Sequence, residues 1–363
     1  MPSEPHPPEL GADPKQPLLD LLGRAPWDLR ISVTDRCNFR CGYCLPRDKV
    51  DPKAFLPRAE VLTFEEITRV ARLFVGLGTR KIRITGGEPL LRRDLAQLVR
   101  QLSELGVELA MTTNGVLLVE HAQTLREAGL HRVTVSLDAL DEHTFQTTCD
   151  APGFSVAHVL AGITAAKNAG FDAIKVNCVV RRGENDHQIV PLAQHFAPLH
   201  IPVRFIEYMD VGTLNDWDEQ AVVSKEEILA RLAEHGALRQ LPAHTPGEVA
   251  VRYAGSQGEV GVIPSVSEPF CGTCCRARLS ADGKVYGCLF ARSGLDLKSL
   301  LRTGASDEQL TQALSGFWSA RSDRYSEERQ ELRKSEAKTT RSSAGRVHLP
   351  TLGDRIEMSY IGG

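Results

Sequence analysis

From residue 28 to about 210 the chain alternates short aliphatic runs with longer stretches whose apolar residues recur every three or four positions. The short runs predict strands over 29–34, 81–85, 109–113, 133–138, 173–180 and 203–209. The longer ones, such as TFEEITRVARLFVGLG, RRDLAQLVRQLSELG and SVAHVLAGITAAKNAG, read as amphipathic helices that stop near a glycine. Thr63 followed three residues later by Glu66 is a capping-box signature. Strands alternating with helices imply an α/β fold with a parallel sheet. Six such units predict a partial (βα)6 TIM-like barrel, two short of a closed eight-stranded one.

The predicted strands carry polar side chains on one face. Arg30, Ser32 and Thr34 alternate with Leu29, Ile31 and Val33. Lys81, Arg83 and Thr85 alternate with Ile82 and Ile84. The same holds for Ala110, Thr112 and Asn114, for Thr134, Ser136 and Asp138, and for Lys175 and Asn177. A parallel strand buried on both sides is normally apolar throughout. One polar face repeated along the chain therefore predicts an interior that holds solvent or ligand. Arg30, Lys81, Arg83 and Lys175 on that face suit an anion such as a polyphosphate. A set of ordinary exposed charges would explain one strand, but not the repetition.

Past residue 209 the pattern changes. SKEEILARLAEHG reads as a helix, VAVRYAG and EVGVIPS as strands, and 304–335 as polar helix, with a boundary near 215. This predicts a barrel over 27–215, a C-terminal region over 216–338 and an Arg- and Ser-rich tail over 339–363 ending Gly362–Gly363. The first 26 residues hold seven prolines and no sustained apolar run. They read as a disordered leader rather than a secretory signal. No apolar stretch is long enough for a membrane span, and a net charge of −3 favours neither nucleic acid nor an anionic membrane. A cytoplasmic protein is expected.

Nine cysteines without a signal peptide argue against a disulfide framework. Cys37, Cys41 and Cys44 form a C-x3-C-x2-C loop directly after the first strand. Cys271, Cys274 and Cys288 form a second group at C-x2-C-x13-C spacing. Three thiolates fit structural zinc poorly, since it takes four ligands. They fit a 4Fe-4S cluster with one iron left open. A zinc loop completed by a remote ligand, or a zinc knuckle at the second group, remains the alternative at this point. Arg276 and Arg278 leave one face of an extended segment beside the second group, where two guanidiniums suit an anionic, aromatic ligand. Cys275 reads as a bystander, and Cys149 and Cys178 as structural.

The first motif, with Tyr43 before its last cysteine, resembles the signature of the radical S-adenosylmethionine superfamily. TGGEP at 85–89 resembles that family's GGEP motif, and VSLDA and EYMD resemble later cofactor-contacting strand ends. The resemblance implies that the open iron chelates S-adenosylmethionine and that an electron cleaves it to methionine and a 5′-deoxyadenosyl radical. It further implies that Tyr43, Gly87, Ser136 and Met209 contact the cofactor. Together with FCGTCCRARLSADGKVYGCLF and the Gly-Gly end, the chain from DLRISVTDRCN onward is similar to the GTP 3′,8-cyclase family, molybdenum cofactor biosynthesis protein A.

That resemblance implies two 4Fe-4S clusters, each held by three cysteines, and GTP as substrate. GTP contacts are implied at Arg30, Lys81, Arg83, Thr112, Lys175, Arg204, Arg276, Ala277 and Arg278. Arg276, Arg278, Gly362 and Gly363 would orient the nucleotide or complete the radical step. An external electron donor, the next enzyme of the molybdopterin pathway and a homodimer are the implied partners. Radical peptide or protein modifiers with auxiliary clusters share the first motif, and a non-enzymatic metal-binding or redox-sensing protein is the reading of another class. The RxR segment and the Gly-Gly end weigh against the former, GGEP and the basic strand faces against the latter.

Overall fold

The computed structural model describes residues 18–51, 55–243, 245, 247–331 and 356–362. Its six repeated strands are β1 (Asp28–Ser32), β2 (Lys81–Thr85), β3 (Glu108–Thr113), β4 (Arg132–Ser136), β5 (Ala173–Val180) and β6 (Val203–Glu207). Each pairs in parallel with the next. Between them run α1 (Phe64–Gly76), α2 (Leu95–Ser103), α3 (Leu118–Glu127), α4 (Glu142–Cys149), α5 (Val156–Asn168) and α6 (Ile189–Phe196). The α1 start is a capping box: the Glu66 amide donates to Thr63 Oγ1 at 3.1 Å, and the Thr63 amide to Glu66 Oε2 at 2.8 Å. Leu29, Ile31, Ile82, Ile84, Val133 and Val135 are fully buried in one core with Ile67, Val70, Leu98 and Ile163 of the helices. The aliphatic strand faces meet the helices, as the alternation predicts.

The later residues are β7 (Arg239–Leu241), β8 (Val251–Gly255), β9 (Gly258–Ile263), β10 (Arg276–Leu279), β11 (Lys284–Tyr286) and β12 (Leu295–Asp296), with α7 (Lys225–Ala233), α8 (Leu297–Arg302) and α9 (Asp307–Ser319). β9 adds in parallel to β6, and β10 adds in parallel to β1. The parallel run is therefore β10-β1-β2-β3-β4-β5-β6-β9, two strands more than the six predicted. Antiparallel β8 and β7 extend one side, β11 and β12 the other. A partial parallel barrel leaves two edges of unpaired backbone groups, and strands from beyond residue 215 cover both. The stretch predicted as one polar helix is α9, a break at 321–324 and a second helical run over 325–331.

Of the leader expected over 1–26, residues 1–17 lie outside the described residues. Residues 18–26 depart from that expectation. Asp20, Arg24 and Ala25 are buried, and Trp318 Nε1 donates to the Arg24 carbonyl at 2.8 Å. Their partners lie some three hundred residues away, so composition gives no sign of them. Of the tail, 339–355 and Gly363 lie outside the described residues, while Met358–Ile361 forms one helical turn packed against β1. Among the described residues no helix is long and apolar enough to cross a membrane.

Candidate active site

Strand register assembles the polar faces into rows. Arg276 pairs with Asp28, Asp28 with Lys81, and Lys81 with Glu108, so cations and carboxylates alternate across four strands. Burial alone would raise the Asp28 carboxyl, but Arg30, Arg83, Lys81 and Arg276 outweigh it and hold it below its usual range. The next row, Arg278, Arg30 and Arg83, has no carboxylate among its register partners. Burial, then Arg278, lowers Arg30 well below its ordinary value. Burial, then Arg276, brings Arg278 down to about 10. Three desolvated guanidiniums side by side without a carboxylate in their row would be relieved by an anion. Arg83 Nη1 donates to Thr112 Oγ1 at 3.1 Å and Thr134 Oγ1 at 3.2 Å, which fixes its head toward the interior.

The first cysteine loop leaves the end of β1 and turns at once, with the Cys44 and Leu45 amides both donating to the Cys41 carbonyl at 3.0 Å. Gly87 holds this loop from behind. Its amide donates to the Thr34 carbonyl and the Glu88 amide to the Arg36 carbonyl, both at 2.8 Å, and a Cβ on Gly87 would collide with the Arg36 carbonyl oxygen. The glycine pair thus lets two backbone loops touch. Burial pushes the Cys37 thiol up to about 12, with Cys41 and Glu88 adding to it; burial, then Cys41 and Cys37, raises Cys44. Without a metal centre these crowded thiols stay protonated, whereas a coordinated ion would deprotonate them. Among the described residues no group of three or more His, Cys, Asp or Glu side chains is placed to hold a metal ion; three thiols per loop are the donor set of an iron–sulfur cluster with one iron left open. Tyr43 donates to Asp138 Oδ2 at 2.7 Å, and the Val179 amide to Oδ1 at 2.8 Å, while burial raises Asp138 to about 6. Glu88 is buried and raised to about 7 despite accepting from Thr113, Asn114 and Leu90.

The same cavity is lined by Cys271, Cys274 and Cys288. Arg276 Nη2 donates to Cys274 Sγ at 3.2 Å. Burial would raise that thiol, but Arg276 and Arg321 bring it down to about 6. The Phe290 amide donates to Cys288 Sγ at 3.4 Å. The tail completes the wall with Met358 and Ser359. Glu357 Oε1 accepts from the Thr213 amide at 2.8 Å and its hydroxyl at 2.9 Å. Gly362, buried at φ +71°, sits against Thr85 Oγ1, where a Cβ would not fit.

One cavity therefore gathers both cysteine triads with Arg30, Tyr43, Arg83, Gly87, Thr112, Ser136, Arg204, Met209, Arg276 and Arg278. Lys81 and Lys175 are not among its lining residues. Lys81 pairs with Glu108 at 2.8 Å in the row below. Lys175 stands in register with Thr134, and burial, then Arg204 and Arg132, lowers its ammonium to about 7. Arg204 pairs with Glu248 at 3.1 Å. Ala277 does not face the cavity. It is fully buried in the aliphatic core, because alternation along β10 turns it away from its two arginine neighbours. Cys275 is not among the cavity-lining residues either, whereas Cys149, read as structural, lines it and donates to Asp138 at 3.7 Å. Arg24, Phe270, Arg321 and Asp323 also line it. Nothing local in the sequence marks them.

The Radical SAM superfamily model matches residues 31–196, and the Molybdenum Cofactor Synthesis C model matches 201–327. A GTP 3′,8-cyclase of Acidothermus cellulolyticus is 51% identical over 363 residues, covering 96% of this chain and 99% of its own. One from Staphylococcus epidermidis is 46% identical over 357 residues, covering 96% and 100%. Among solved structures, Streptococcus suis SuiB bound to its precursor peptide SuiA superposes with a TM-score of 0.57 at 14% identity, over 82% of this chain and 66% of that one. SuiB bound to S-adenosylmethionine gives 0.56 at 15%, over 82% and 69%. At such identities the likeness is one of fold.

Proposed function

The chain belongs to the GTP 3′,8-cyclase family of radical S-adenosylmethionine enzymes, and on that premise we propose that it converts GTP to 3′,8-cyclo-7,8-dihydro-GTP, the first step of molybdenum cofactor biosynthesis. The observation that carries this reading is that one cavity is lined by both thiol triads and by Arg30, Arg83 and Arg278 of the arginine row.

In this reading Cys37, Cys41 and Cys44 hold one 4Fe-4S cluster, and Cys271, Cys274 and Cys288 hold the other. When bound, the first cluster with S-adenosylmethionine supplies the radical that opens the ribose C–H bond. Tyr43, Gly87, Ser136 and Met209 shape the cofactor side. Tyr43 is held by Asp138, and Gly87 keeps the cysteine loop in place. Arg30, Arg83, Thr112, Arg276 and Arg278 seat the triphosphate and orient guanine toward the second triad. Lys175 and Arg204 extend that field, and Lys81 supports it from the row below. On the tail side, Gly362, buried against Thr85, closes the site. Holding the two reacting ends of the nucleotide at a fixed separation and excluding water is the protein's main contribution. An external electron donor, the next enzyme of the pathway and pairing of two copies belong to the same reading. The fold shared with SuiB extends to a protein that binds a peptide, but the arginine row suits a polyphosphate better than a peptide backbone.

The test is anaerobic. Protein reconstituted with iron and sulfide is reduced and given S-adenosylmethionine, and 5′-deoxyadenosine is followed with and without GTP. Stimulation by GTP together with a cyclised nucleotide in the mass spectrum supports the proposal. Cleavage indifferent to GTP would redirect the substrate assignment toward peptides.

A further inference from the structure

Asp20 and Arg24, in the segment before β1, meet Arg321, just past α9, in a buried ion cluster. Arg24 Nε donates to Asp20 Oδ2 at 2.6 Å, and Arg321 Nη1 to the same oxygen at 3.0 Å. Asp20 Oδ1 accepts from the Leu22 and Arg24 amides at 2.9 and 2.8 Å. The Asp20 side chain is fully buried and those of the two arginines are 2% exposed. Burying three charges is costly unless something fixes their geometry and uses their remaining hydrogens.

Those hydrogens point to the second cysteine loop. Arg24 Nη1 donates to the carbonyl of Cys271 at 2.8 Å and to that of Asp323 at 2.9 Å. Arg321 Nη1 donates to the carbonyl of Cys274 at 2.9 Å. The two guanidiniums joined by one carboxylate therefore each hold the backbone of a different cysteine in the triad. Arg24 Nη2 is buried without a hydrogen-bond partner, on a residue that lines the cavity.

We infer that Asp20, Arg24 and Arg321 are positioning residues. They form a clamp through which the N-terminal segment sets the spacing of Cys271 and Cys274 for their cluster and leaves Arg24 Nη2 for its sulfur. This rests on the proposed second cluster. A guanidinium is suited to the task because separate nitrogens of one rigid plane reach Asp20 and the two carbonyls at once, which the single nitrogen of an ammonium cannot do. Hydrogen bonds around cluster sulfurs are a recognised determinant of cluster properties.

The experiment compares full-length wild type, Arg24→Gln and Arg24→Lys after anaerobic reconstitution, counting iron and recording electron paramagnetic resonance of the reduced proteins. S-adenosylmethionine perturbs the signal of the first cluster and GTP that of the second. Arg24→Gln should lose about half of the iron and the GTP-dependent change while keeping the S-adenosylmethionine-dependent one. Arg24→Lys, which keeps a charge beside Asp20 but has no second nitrogen to reach the carbonyls at the same time, should also lose the GTP-dependent change and serves if Arg24→Gln does not fold. Wild-type iron and both responses in either soluble variant would overturn the clamp. So would loss of both clusters together, which reports a general packing defect. A wild type holding only the iron that responds to S-adenosylmethionine would overturn the second cluster itself.

Discussion

Arg30 of β1 and Arg278 of β10 are register partners in a parallel pairing that joins the beginning of the chain to its last quarter. Arg278 is 2% exposed and has no hydrogen-bond partner at its Nε, and the same is true of Arg30 Nε. Burial, then Arg278, holds Arg30 well below its ordinary value, and burial, then Arg276, lowers Arg278. Two such groups with Arg83 beside them are organised for an anion before it arrives.

Replacing Arg278 or Arg30 by Ala should raise KM for GTP by about 10–100-fold, since hydrogen bonds to charged groups contribute about 1.5–3 kcal/mol. Cleavage of S-adenosylmethionine should continue but become uncoupled from cyclised product. Arg→Lys at either position should restore little, because a point charge does not replace a planar fork. Coupled turnover at wild-type KM in both Ala variants would remove the arginine row from the substrate site.

Gly87→Ala tests the loop contact. Its Cβ would meet the Arg36 carbonyl oxygen, with the Asp35 oxygen 2.9 Å away, so the cysteine loop must shift. The variant should bind about half of the wild-type iron and produce no 5′-deoxyadenosine. Iron analysis and chromatography of the cleavage products decide this together, and full iron with normal cleavage would mean that the contact is dispensable.

Glu357→Ala should release the tail. It removes both bonds to Thr213, and amide exchange over 358–361 should speed up by about tenfold or more. Cleavage without GTP should change little, while the yield of cyclised product falls. Unchanged exchange would show that packing against β1 holds the tail without this latch.

Lys175 gives the pH dependence. Burial, then Arg204 and Arg132, puts its folded value at about 7, below the usual ammonium range. Phosphate prefers the charged form and would raise that value on binding, so affinity is fully present below about pH 7. As pH rises past 7 it falls, by up to about tenfold per unit, until the value in the complex is reached. Calorimetry in buffers of different ionisation enthalpy should detect proton uptake on GTP binding near pH 8. Lys175→Gln should abolish the uptake. No uptake in the wild type would place Lys175 outside the nucleotide's field.

Much of this architecture was legible locally. Two-residue alternation placed Arg30, Arg83, Thr112 and Ser136 on an inward face, because a pleated strand repeats its geometry every second residue whatever it pairs with. The close spacing of Cys37, Cys41 and Cys44 marked a cluster loop, because a single turn must bring those thiols together. Arg276 and Arg278 shared a face for the same reason as the strands, and so Ala277 between them was bound to point away.

Pairing partners were not legible. Which strand covers an open sheet edge depends on where unpaired backbone groups remain once the other elements have packed. That is a property of the whole chain, and it decided that β9 and β10 complete the parallel run. The same closure set Arg278 opposite Arg30 and brought the second cysteine loop into the cavity that the first one lines. Asp20 and Arg24 read as part of a disordered leader because their partners, Arg321 and the carbonyls of Cys271 and Asp323, are distant in sequence. Periodicity and spacing fix what a segment can present. Long-range hydrogen bonding and burial decide what it meets.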